Sequence, residues 1–133
     1  GWTDHNFDEW SGWTSEAGNP PGCYRLNEYG SYEVNPGIEQ EVSGFVPGLT
    51  YEISGDYRPY VAWIGNPSQE SFVVTVDSVL VGSFPRGPNG TDWSTFTAEF
   101  TATEFAHTIG FWAEWYDDSS YELDNVSLSI KAD

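Results

Sequence analysis

The sequence predicts an all-β sandwich of two antiparallel sheets, about eight or nine strands in all. Three observations carry that reading. Helix signals are almost absent. Short runs of Val, Ile, Thr, Tyr, Phe and Trp alternate apolar with polar residues, the period of a strand with one buried face. Gly, Pro, Asn and Asp punctuate those runs at the spacing of turns in a sandwich. A chain of 133 residues without a break in composition makes one domain, 1–133, large enough for a two-layer core.

The elements follow in order. Trp10 to Gly22 is rich in Ser, Gly, Asn and Pro and reads as irregular. Cys23 to Asn27 and Ile38 to Val42 are short strand candidates, and Val46 to Tyr51 is a Pro-Gly turn entering a strand. From Tyr51 to Tyr57 the chain alternates, with Tyr51, Ile53 and Tyr57 on one side and Glu52, Ser54, Asp56 and Arg58 on the other. Arg58 to Gln69 is an irregular joint carrying Tyr60 and Trp63. Phe72 to Val76 and Val79 to Phe84 flank Asp77-Ser78 and form a hairpin. Thr95 to Thr103 turns Phe96, Ala98 and Phe100 inward. His107 to Ala113 is a strand, an acidic loop follows, and Leu123 to Ile130 closes the chain with Leu123, Val126, Leu128 and Ile130 as its apolar set. His107, at the end of a turn, reads as solvated surface.

Composition narrows the partners. Lys and Arg number 4 against 21 Asp and Glu, a formal net charge of -17. Such a field repels phosphate backbones and anionic lipid, so neither nucleic acid nor a membrane is an expected partner. No run approaches the roughly 20 apolar residues of a membrane span. Cys23 is the single cysteine, so no disulfide forms within the chain. Aromatic residues make up 17%, including seven Trp, more than a disordered chain would carry. The opening at Gly1, without Met, fits a processed or excised module.

Four segments together resemble a known pattern. They are "NFDEWSGWT" from Asn6, "GIEQEVSGFVPGLTYEISGDYR" from Gly37, "TDWSTFTAEFTAT" from Thr91 and "YELDNVSL" from Tyr121. In this order they are similar to the carbohydrate-binding modules of families 4, 9, 16 and 22 and the galactose-binding-like β-sandwiches around them. The resemblance spans nearly the whole chain. It implies a jelly-roll sandwich that binds a polysaccharide, serves as accessory to a larger multimodular secreted enzyme, and works outside the cell. It also implies a structural Ca2+ near the chain ends. Such an ion takes roughly six to eight oxygen ligands. The positions matching the pattern are Asp8 and Asp124, with carbonyl oxygens from Asn6 and from the Asn19 to Gly22 loop, where Gly22 is the candidate. Asp8 stands where many relatives have Glu, one methylene shorter. Trp93 matches a position that packs into the core.

A glycan site joins flat exposed rings, which stack on sugar C–H faces, to polar side chains that meet the hydroxyls. Two regions fit. Ile109, Phe111 and Ala113 already supply the buried face of their strand, so Gly110, Trp112 and Glu114 share its other face, with Trp115 and Tyr116 at the loop end. Asp56 and Arg58 lie on the polar face of the Tyr51 strand, leading to Tyr60 and Trp63. The resemblance implies that both groups line one open sheet face. Arg58 serves equally as a salt-bridge partner. The acidic chain favours a neutral β-glycan; an anionic glycan remains open through Arg58, Arg86 or a bridging cation.

No catalytic pattern emerges. A glycosidase needs two carboxyl groups about 5 to 10 Å apart, and 21 acids guarantee some such pair, which therefore carries no information. His5 and His107 are the only histidines, Cys23 has no partner motif, and neither a phosphate loop nor zinc spacing appears. The expectation is a non-catalytic binding module. The alternative is a surface or matrix domain of the same fold that binds no specific glycan.

Overall fold

The alternation becomes two five-stranded antiparallel sheets packed face to face. The computed structural model describes residues 2–5, 12–18, 21–27, 37–59, 71–85, 92–114 and 120–131. Sheet A contains β1 (Thr3–His5), β4 (Gly37–Ser43), β9 (Ala106–Glu114), β6 (Ser71–Val76) and β7 (Val79–Pro85), in that spatial order. Sheet B contains β2 (Gly12–Gly18), β3 (Pro21–Asn27), β10 (Ser120–Ile130), β5 (Thr50–Pro59) and β8 (Ser94–Thr101). The sandwich expected from the sequence is therefore present, with ten described strands where eight or nine were expected. The difference lies at the N-terminal end. Gly12–Gly18 and the residues from Pro21 form strands where irregular chain was expected, because β2 is an edge strand that pairs only with β3 and tolerates Gly and Ser.

Each sheet gives one face to a core of stacked rings. Tyr57, Phe72, Phe96, Phe111 and Tyr121 are fully buried, and Tyr57 stacks on Phe72 with centroids 5.0 Å apart. Burial pushes the Tyr57 hydroxyl pKa up, so it stays protonated and donates to the Pro85 carbonyl at 2.8 Å. In β8 the pattern is strict: Phe96, Ala98 and Phe100 buried, Thr95, Thr97, Glu99 and Thr101 exposed. Most of the described aromatic residues are thus core, and ring content alone points to no surface.

The turns also have local causes. Asp77 and Ser78 both take positive φ, 51° and 66°, as the tight hairpin between β6 and β7 requires. Gly48 has φ 94° in the Pro-Gly turn, where Leu49 N–H donates to the Val46 carbonyl at 3.1 Å. In β10 the apolar set has an odd gap, Leu123 then Val126. The strand accommodates it by a bulge between Asp124 and Ser127, with Asn125 at φ 54°. Leu123 is buried, but Val126, Leu128 and Ile130 are exposed. They lie along the open flank, where a cavity of about 320 Å³ is lined by Trp2, Val42, Ile53, Ile109, Val126 and Leu128. Trp2 reaches in between the sheets there and meets Phe111 edge-on at 5.6 Å. On the opposite flank β7 and β8 touch and close the sandwich.

His107 overturns its sequence expectation. It is only 4% exposed and caps the core against Phe45 and Phe100. Its Nε2 accepts backbone N–H groups from Thr103 and Glu104 at 3.2 and 3.3 Å, so the ring proton sits on Nδ1 and is donated to Asp77 at 2.5 Å. The hairpin turn, distant in sequence, supplies the partner that lets the ring be buried. Among the described residues no helix is long and apolar enough to cross a membrane.

Candidate carbohydrate-binding face

The outer face of sheet A, turned away from the core, is built in rows that cross all five strands. One row runs His5, Gly37, Trp112, Val73, Ser83; the next runs Thr3, Glu39, Gly110, Thr75, Leu80. Two of these positions are glycine, and that decides how Trp112 lies. A Cβ on Gly37 would stand 2.5 Å from indole Cδ2, and one on Gly110 would stand 2.6 Å from Nε1. The ring therefore rests across bare backbone rather than rising from the sheet. Its Nε1–H donates to Thr75 Oγ1 at 3.0 Å, which fixes its rotation, and the residue is part-buried. His5 stacks on it in an offset arrangement, centroids 5.2 Å apart and planes 30° from parallel. The same imidazole donates from Nε2 to Glu39 Oε1 at 2.9 Å. Gly37, Gly110 and Val73 are buried and Glu39 is 18% exposed, so this outer face is sheltered.

The two groups of site residues expected on one face lie on different sheets. Trp112 is on the outer side of sheet A; Asp56 and Arg58 are on the outer side of sheet B, with the core between them. The cause is a crossover. β9 pairs with β4 and β6, while β10 pairs with β3 and β5, so the last two strands are neighbours in sequence and not in a sheet. Glu114 ends β9, and its backbone alone is described; Tyr60, Trp63, Trp115 and Tyr116 lie outside the described residues.

On sheet B the polar groups are spent on each other. Glu122, 1% exposed, accepts from Arg58 Nε at 2.8 Å on Oε1, and Cys23 Sγ lies 3.7 Å from Oε2. The Arg58 guanidinium lies 4.7 Å above the ring of Trp93. Trp93 is accordingly half-buried under a cation rather than part of the apolar core. Asp56 accepts from Thr95 at 3.2 Å and from Asn125 Nδ2 at 2.8 Å. Arg58 thus forms the salt bridge that the sequence offered as one of its two roles.

Of the expected calcium donors, Asp124 is partly buried at the β10 bulge, where Oδ1 accepts the Asn125 N–H at 2.8 Å, and Gly22 belongs to the paired strand β3. Asn6 and Asp8 lie outside the described residues. Among the described residues no three His, Cys, Asp or Glu side chains gather as a metal cluster.

His5, Glu39 and Thr75 were not singled out from sequence. The available signal was Gly110, two positions before Trp112 on the same face of one strand, a gap that invites a ring to lie down.

No family model and no curated protein matches the sequence. Solved structures do. The CBM22-1 xylan-binding domain of Paenibacillus barcinonensis Xyn10C matches over 100% of this chain and 88% of its own, at 16% identity and a TM-score of 0.68. The fold is one shared with carbohydrate-binding modules. The CBM22-1 and GH10 modules of Clostridium thermocellum xylanase 10B, complexed with xylohexaose, match over 98% of this chain at 16% identity and a TM-score of 0.68, and this chain spans 26% of that protein. The module TmCBM61, in complex with β-1,4-galactotriose, matches over 98% of this chain and 88% of its own, at 12% identity and a TM-score of 0.64. Family 22 is one of the four that the sequence motifs resemble.

Proposed function

We propose that this chain is a non-catalytic module that binds a neutral polysaccharide on the outer face of sheet A, with Trp112 as the stacking platform, and that it directs a secreted polysaccharide-degrading enzyme to its substrate. The observation that carries the reading is the indole laid flat on Gly37 and Gly110, its N–H already engaged by Thr75. The part of that ring left uncovered by the two glycines and by His5 suits the C–H face of a pyranose. The fold shared with modules seen with xylohexaose and β-1,4-galactotriose supports the same class of ligand. We extend the proposal to a structural Ca2+ held by Asp124 with the carbonyl oxygens of Asn6 and Gly22 and the carboxylate of Asp8.

The test is affinity electrophoresis against soluble xylan, β-glucan, mannan, β-1,4-galactan and polygalacturonate, with Trp112→Ala alongside. Retardation by a neutral glycan, lost in a variant that keeps its melting temperature, supports the reading. Retardation by none of them makes the chain a structural or adhesive domain of this fold. Retardation undiminished in Trp112→Ala keeps the function and moves the site, first to Trp63.

A further inference from the structure

Beside the Trp112 platform, a carboxylate is held in place by an imidazole. Glu39 and His5 stand in adjacent rows on β4 and β1, and His5 does two things at once: it stacks on the indole and donates to Glu39 Oε1. The second oxygen of Glu39, Oε2, receives no hydrogen bond from any described residue, although the side chain is largely sheltered. The floor beneath it is Gly110, whose added Cβ would lie 3.2 Å from Glu39 Cγ. The carboxylate therefore leans over the sheet beside the indole.

We propose that Glu39 accepts a hydroxyl of the glycan on Oε2 while His5 positions it, and that this carboxylate restricts the site to uncharged sugars. The inference rests on the reading of Trp112 as the stacking platform. A carboxylate acceptor forms a charge-assisted bond to a sugar O–H, stronger than a neutral pair, and it repels a uronate carboxylate in the same place. Exposed Glu41, two residues along β4 on the same face, adds to that repulsion. No cation on this face offsets them among the described residues. Arg58 and Lys131 are paired with Glu122 and Glu99 on sheet B, Arg25 belongs to β3 of that sheet, and Arg86 lies outside the description. The chemical class is thus a neutral glycan with a free hydroxyl next to the stacked ring face.

Titration calorimetry with soluble xylan, β-1,4-galactan and polygalacturonate tests this on the whole chain. The expected result is binding of a neutral glycan and none of polygalacturonate. Glu39→Gln should weaken the neutral ligand by about tenfold or more at an unchanged melting temperature. Glu39→Lys should reduce the discrimination against polygalacturonate. His5→Phe keeps a stacking ring without the donor and should lose affinity, while His5→Gln, which restores a donor, should recover it to within a few-fold. Full affinity in Glu39→Gln alongside its loss in Trp112→Ala overturns the inference and leaves the platform standing. Polygalacturonate bound by the unaltered chain as well as the neutral glycans overturns the selectivity. Binding of no glycan at all by the unaltered chain overturns the platform, and this inference with it.

Discussion

The indole of Trp112 and the backbone of Gly37 are in van der Waals contact across two paired strands, with no room for a methyl group between them. Gly37→Ala should therefore lift or tilt the ring. The expected cost is about 1–3 kcal/mol of stability, as for other overpacked sites, together with weaker glycan binding. Chemical denaturation gives the first quantity and affinity electrophoresis the second. An unaltered affinity would show that the height of the ring is immaterial to the ligand.

Arg58 holds a carboxylate that is almost wholly buried. Arg58→Ala removes a cationic partner of that carboxylate, and because Arg58 is itself 30% exposed and Cys23 stays beside the other oxygen, the loss should be about 2–3 kcal/mol, less than for a fully buried pair. The double variant Arg58→Met/Glu122→Leu should regain most of it, since it removes the buried carboxylate together with Arg58. Urea unfolding of the three variants separates these outcomes.

Asp77 links the β6–β7 turn to β9. Burial works to raise its pKa, but the Thr108 N–H and the His107 ring outweigh it, and the carboxyl ends below its ordinary 3.8. A lowered folded value means that the stabilisation is complete above the unfolded pKa and is lost as pH falls through the folded one. The window is thus below about pH 4. Melting temperatures measured from pH 5 to pH 2 should fall less steeply in Asp77→Asn than in the unaltered chain. Parallel profiles would mean that Asp77 keeps its proton affinity on folding.

If Asp124 holds Ca2+ as proposed, saturating Ca2+ should raise the melting temperature and a chelator should lower it by several degrees, since ligand that binds only the folded state stabilises by mass action. Asp124→Ala should abolish the response. An identical melting temperature with and without chelator would remove the metal from the proposal.

The alternation of β5 and β8 was legible because each has one face in the core and the other in water. The hairpin at Asp77 was legible from its turn residues. What sequence could not give was the assignment of strands to sheets: period-2 alternation separates inside from outside but says nothing of which outside. Asp56 and Trp112 therefore fell together on paper and on opposite surfaces in space. His107 and Glu122 were hidden for a related reason, as their burial depends on Asp77 and Arg58, 30 and 64 residues away. The outward position of Trp112 was partly visible because a large ring opposite a satisfied apolar face needs its own explanation.

The sandwich is closed along one flank by β7 against β8 and wedged along the other by Trp2 between the sheets. It opens like a book whose spine is the β7–β8 side. Amide exchange should be fastest in β1 and along the free margins of β4 and β10, and slowest in β6 and β5, which are paired on both sides. A polymer lying along the rows of sheet A would span from that loose margin to the spine. Binding would then strap β1 to its neighbours, and the first sign of a bound glycan would be slowed exchange in three residues at the very edge of the sheet.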